Sequence, residues 1–130
     1  MPATKPSNPT RQTKQQAIGN NAESLACDFL QTRGLRLVAR NFRCKGGELD
    51  LVMLDQDTVV FVEVRARKGS RYGSALESVT YAKQRRLIHA ANYFILRNDP
   101  QHKRSYRFDV VAIQGEPGNN PDIQWIDSAF

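Results

Sequence analysis

Gly46-Gly47-Glu48-Leu49-Asp50-Leu51-Val52 and, after a short polar break, Val59-Val60-Phe61-Val62-Glu63-Val64-Arg65 decide the fold. Each run is apolar enough to lie inside a sheet, and each carries a carboxylate between its apolar residues, Asp50 or Glu63. Thr58 to Arg65 and Leu49 to Leu54 read as two strands, joined through Asp55-Gln56-Asp57 as a hairpin. With Gln56 and Asp57 as a two-residue turn, Val52 faces Phe61 and Asp50 faces Glu63. Cross-strand neighbours hold their Cβ atoms about 4.5–5.5 Å apart, where like charges repel. Leu49, Leu51 and Met53 should then share the opposite face with Val60, Val62 and Val64. Burying two ionised carboxylates costs several kcal/mol unless something compensates them. Two hard oxygen donors suit Mg²⁺ or Mn²⁺; a base such as Arg65 is the plain alternative, and the residues leave both open.

Outward from this hairpin the pattern alternates. From about residue 16 to 33, Ala22, Leu25, Ala26, Phe29 and Leu30 form an amphipathic helical stripe stopped by Gly34. Leu35 to Phe42 reads as a strand. A second helix is expected from Ser78 to Arg97, a strand from Ser105 to Ile113 and a short one from Ile123 to Ile126. Helix, three strands, helix and two strands make an α/β domain with a central mixed sheet of about five strands flanked by helices. At 130 residues there is room for one core. Residues 1 to 15, rich in Pro, Thr, Ser, Asn, Gln and Lys, read as a flexible basic tail before a single domain over 16–130.

Three further groups bear on the acids. Glu23 lies one position off the first helix's apolar stripe, as a third acid or an ordinary boundary glutamate. Lys83 falls on the second helix's core stripe, between Val79 and Leu87; it either snorkels outwards or points at the acids. Arg65, Arg67, Lys68 and Arg71, with Arg85 and Arg86, make a basic rim. The formal charge of +6 favours a polyanionic partner, nucleic acid foremost. Cations holding a polyanion around a metal-binding acid pair are what a metal-dependent phosphodiesterase needs.

Other chemistries lack their parts. Cys27 and Cys44 have no CxxC spacing and no histidine partner, and suit free thiols in a reducing cytosol. His89 and His102 do not form a zinc spacing. Glycines are too scattered for a phosphate-cradling loop. No run can span a bilayer, and residues 1 to 16 lack an export core, so a cytoplasmic protein away from membranes is expected. Asp109 is expected to anchor a salt bridge or hydrogen bond at its strand end.

Glu23, Gly47-Glu48-Leu49-Asp50-Leu51-Val52 and Phe61-Val62-Glu63-Val64-Arg65-Ala66-Arg67, in this order, resemble the YraN family of bacterial nuclease-like proteins. Lys83-Gln84-Arg85-Arg86-Leu87, Arg107-Phe108-Asp109-Val110-Val111 and the final Ala129-Phe130 extend the match. That family is similar to the PD-(D/E)xK nucleases, with a restriction-endonuclease-like fold related to archaeal Holliday-junction resolvases. The resemblance implies an Mg²⁺- or Mn²⁺-dependent endonuclease acting on DNA, with branched or junction DNA as a candidate substrate. It implies Asp50 and Glu63 as metal ligands, Glu23 as the helical acid and the Val64 carbonyl as a further ligand. It also allows a homodimer, because junction-cutting relatives cut two strands symmetrically. Arg65 departs from the pattern, standing where ExK carries lysine, and arginine keeps its charge and cannot act as a base. Either the metal suffices, or Lys83 supplies the ammonium from the helix, or the chain is a catalytically silent nucleic-acid-binding or scaffold module. The migrated Lys83 is the expectation carried forward.

Overall fold

The computed structural model describes residues 14–67, 78–115 and 120–130, with side chains of the first helix from residue 21. Helix α1 (Lys14–Thr32) precedes strands β1 (Arg36–Cys44), β2 (Gly47–Asp55) and β3 (Thr58–Arg67). Helix α2 (Tyr81–Asn98) follows, then β4 (Ser105–Gln114) and β5 (Asp122–Ile126). The sheet runs β1-β2-β3-β4-β5. Only the β3–β4 pair is parallel, as a strand that returns through a crossover helix must be. The fold is thus α/β, a mixed five-stranded sheet with two helices, consistent with the restriction-endonuclease-like fold. The proposed tail falls outside the described residues apart from the start of α1, and so do Lys68 and Arg71.

Each sheet face buries one helix. Ala22, Ala26 and Leu30 of α1 pack on Leu51, Met53, Val60, Val62, Val111 and Ile113. Leu87, Ala90, Ala91 and Phe94 of α2 pack on Leu49, Val52, Phe61 and Val110. Fully burying a Leu or Phe of this kind contributes about 1.5–3 kcal/mol, so the central strands fix both helices. Helix α2 starts at Tyr81, later than its apolar period suggested, because Thr80 is its N-cap: the Thr80 Oγ1 accepts the Lys83 N–H at 3.2 Å. Strands β1 and β2 are longer than expected and meet at Cys44↔Gly47. Gly47 lets α2 come close, since a Cβ there would lie 2.4 Å from the Arg86 carbonyl oxygen.

The hairpin register is the expected one: Asp55 pairs with Thr58, Val52 with Phe61 and Leu51 with Val62. Leu49 corrects the assignment of faces, because it packs on the α2 side with Val52, whereas Leu51 and Met53 pack on the α1 side. Strict alternation therefore breaks at Asp50. Its β1 counterpart, Asn41, takes a left-handed φ of 51°, and the recorded pairs step from Arg40↔Leu51 to Phe42↔Leu49. The β1–β2 register is the same on either side of Asn41; the shift in this ladder falls between Leu37 and Ala39.

Among the described residues Asp109 is the one buried charged residue, fully sealed from solvent. It accepts from Arg107 Nε at 3.0 Å, Trp125 Nε1 at 2.9 Å and the Ser128 amide at 3.0 Å. Arg107 also reaches Asp55 at 3.0 Å. Asp109 makes the expected salt bridge and hydrogen bonds, but from the middle of β4 rather than from a strand end, and so ties the segment from Trp125 to Ser128 to the sheet.

Candidate functional site

Beyond Leu51↔Val62 the β2–β3 ladder stops, and the Asp50 carboxylate replaces it by accepting the Val64 N–H at 2.9 Å. A strand residue's N–H and C=O point to the same edge, so the Val64 carbonyl faces the same gap. This gap is the floor of a cleft of about 620 Å³, lined by both helices and three strands. Glu23 comes from α1, Arg43 from β1, Glu48 and Asp50 from β2, Glu63, Val64 and Arg65 from β3, Lys83 and Arg86 from α2.

The fold thus gathers Asp50, Glu63, Arg65, Lys83, Val64 and Glu23 into one cleft. Arg86 joins them on the wall. Arg85 stands on the outer side of α2, and Arg67 closes β3, near enough to act electrostatically on Lys83. Glu48 and Arg43 had not been singled out for the site. They are a cross-strand pair, 3.6 Å apart from Nε to Oε1. Extending the first strand to Cys44 would have revealed them, since that places Arg43 opposite Glu48.

The Glu63 side chain is 14% exposed and that of Arg65 22%, whereas Glu48 and Arg43 stand at the outer rim, 60% and 74% exposed. Burial pushes the Glu63 carboxyl up to about 8, helped by the Asp50 charge and by a hydrogen bond between the two carboxyls. Burial also raises Asp50, against the Val64 hydrogen bond that favours its charge. Two carboxylates this close share a proton rather than both ionising. Glu23 is lifted to about 7, first by burial and then by Asp50, and its Oε1 is buried without a hydrogen-bond partner.

Compensation by bases is partial. Arg65 Nη1 lies 3.4 Å from Glu63 Oε2, a long contact, while its Nε donates to Ser78 Oγ at 3.1 Å. Lys83 forms no ion pair with either acid among the described residues; burial and Arg65 push its ammonium down, and Glu63 pulls it back up. Among the described residues no three His, Cys, Asp or Glu side chains gather into a complete cage. The donor set fits an ion that takes one or two carboxylates and completes its shell with water and phosphate, as Mg²⁺ does. An orphaned carboxylate oxygen beside a proton-sharing pair is what such an ion would satisfy.

The pair makes stability depend on pH. Unfolded, Glu63 ionises near its ordinary 4.5; folded, it holds its proton to about 8. Between these values the unfolded state binds fewer protons, so stability falls as pH rises through the window and levels off above it. The metal-free protein should lose on the order of a few kcal/mol from pH 4.5 to 8 at this site. Urea unfolding across that range should show the decline, and Glu63→Gln should flatten it and stabilise the protein at pH 8. A Glu63→Gln protein less stable than the parent at pH 8 would mean that the Arg65 contact outweighs burial.

An α/β sheet with a carboxylate pair at the opened end of its central hairpin defines the class, one consistent with restriction-endonuclease-like proteins. The chain belongs to the uncharacterised protein family UPF0102, the YraN family, whose model matches residues 22–113. It is 55% identical over 120 residues to a UPF0102 protein of Pseudomonas syringae pv. syringae (strain B728a), covering 92% of this chain and 97% of the relative. A UPF0102 protein of Pseudomonas putida (strain W619) is 52% identical over 119 residues, with the same coverages. Among the described residues no helix is long and apolar enough to cross a membrane.

Proposed function

We propose that this chain is a metal-dependent endonuclease that hydrolyses phosphodiester bonds of DNA, with branched or junction DNA as its candidate substrate. The observation that carries the reading is the Asp50–Glu63 pair, half-buried together at the open end of the hairpin and only partly neutralised. Asp50, Glu63 and the Val64 carbonyl would hold Mg²⁺ or Mn²⁺, with Glu23 beside them. Such an ion supplies Lewis acidity and lowers the pKa of water. Arg65 and Lys83 face the same cleft and would stabilise negative charge growing on the non-bridging phosphate oxygens. Arg65 stays charged and takes no proton. Arg86, Arg85 and Arg67, together with Lys68 and Arg71 from outside the described residues, would hold the phosphates without reading bases. Free thiols at Cys27 and Cys44 suit a reducing cytoplasm.

The Arg65–Glu63 contact favours a second reading, a silent nucleic-acid-binding or scaffold module whose acids are neutralised from within. Calorimetric titration with Mn²⁺ separates the two. The enzyme reading expects saturable heat in the parent protein and none in Glu63→Gln. Absence of heat at millimolar Mn²⁺ supports the module.

A further inference from the structure

We infer that the outer side of α2 is a stacking track for unpaired bases, so that the polymer reaching the cleft carries a single-stranded segment. The inference rests on the cleft being a nucleic-acid site and narrows the substrate class. Helix α2 contains no acidic residue. At every fourth position it carries Tyr81, Arg85, His89, Tyr93 and Arg97, all exposed. Residues four apart form one continuous ridge on a helix, here spanning about 24 Å. Rings and cations are interleaved along it. The Arg85 guanidinium lies 5.9 Å from the Tyr81 ring centroid, and the His89 and Tyr93 rings meet edge-on at 5.4 Å. His89 is fixed by a 3.0 Å hydrogen bond to the Lys45 carbonyl, at the β1–β2 turn. None of the five ridge residues lines the cleft, but Arg86 does, about 100° round the helix from Arg85, so a strand lying on the ridge reaches the acids by passing over Arg86.

The rings are not there for the core, which Leu87, Ala90, Ala91 and Phe94 fill from the other side of the helix. Tyr81 is 74% and Tyr93 45% exposed. A duplex hides its base faces, so a convex helix meeting one would use the arginines and leave the rings idle. Unpaired bases offer their faces to rings while the phosphates meet cations, the combination that marks single-strand binding. Ile88 and Leu96 on the adjoining row are exposed too, but Asn92 separates them and the ridge beside them is cationic, which leaves no continuous apolar seam for a protein.

The test is fluorescence anisotropy in EDTA, which removes cleavage from the measurement. Labelled oligothymidylate, oligouridylate and a blunt DNA duplex of equal length are titrated with the parent, Tyr81→Ala/Tyr93→Ala and Tyr81→Phe/Tyr93→Phe. Single-strand affinity should fall about tenfold per ring in the alanine variant. Duplex affinity should change little, and the phenylalanine variant should match the parent. The tighter of the two oligomers then names the polymer. The inference is overturned if the parent binds neither oligomer, if the alanine variant binds them as the parent does, or if it loses duplex affinity equally. Loss of single-strand binding in a protein that never cleaves leaves the track standing and removes the hydrolytic reading; cleavage with unchanged alanine-variant affinity does the reverse.

Discussion

Asp50→Asn is expected to abolish divalent-cation-dependent cleavage while the protein stays folded and still binds DNA. Asparagine has the same shape and keeps an oxygen to accept the Val64 N–H, the bond that terminates the β2–β3 ladder. It removes the negative charge, and with it one of the two carboxylates at the cleft floor. Losing even an outer-shell partner of a metal ligand costs roughly 10- to 100-fold, so losing a ligand should cost at least about a hundredfold in rate. DNA affinity in EDTA should hold or rise, because one negative charge leaves a site that phosphates approach. The checks are single-turnover cleavage of a labelled junction with Mg²⁺ or Mn²⁺, and anisotropy without metal. Cleavage at the parental rate by Asp50→Asn would remove the acid pair from the chemistry. Lys83→Met addresses the other half of the site: a large fall in rate with unchanged metal heat identifies Lys83 as the cation that compensates for arginine at position 65.

How much of this could be read beforehand follows from how far apart the causes lie in the chain. The hairpin was legible because its turn is two residues long and its apolar period is two, which together fix Val52 opposite Phe61. Lys83 was legible because a charge on a core stripe four residues from Leu87 must be accommodated somewhere, and here it looks into the cleft. The break at Asp50 was not. It coincides with a left-handed Asn41 on the neighbouring strand, a conformation that asparagine tolerates but does not announce. Periodicity therefore placed Leu49 on the wrong face, although Asp50 does line the cleft. Arg43 and Glu48 were hidden for a related reason, since the first strand's polar end carries no period to extend. The rings on α2 carry no core signal either, and only their four-residue spacing on an exposed surface sets them apart.

Asp109→Ala is expected to be the most destabilising of these substitutions, although the residue lies outside the cleft. Its partners come from 16 and 19 residues further on, Trp125 and the Ser128 amide, so the sequence shows an acid in an apolar strand but not what it holds. Removing the carboxylate strands three donors at once: the Arg107 guanidinium, the Trp125 indole N–H and the Ser128 amide. Arg107 keeps its 3.0 Å contact with Asp55, which is partly exposed and offsets only some of the loss. Breaking a buried ion pair by deleting one partner costs about 3–5 kcal/mol, a large fraction of the 5–15 kcal/mol typical of a whole domain. Trp125→Phe removes one donor and leaves the carboxylate paired, so it should cost only about 1 kcal/mol beyond any change in packing. Urea unfolding of the two variants should show this order. An Asp109→Ala protein within about 1 kcal/mol of the parent would mean that β5 and the chain end contribute little to the sheet. The four sheet-pairing strands β1 to β4 would then hold the cleft by themselves, through the two helices packed on their faces.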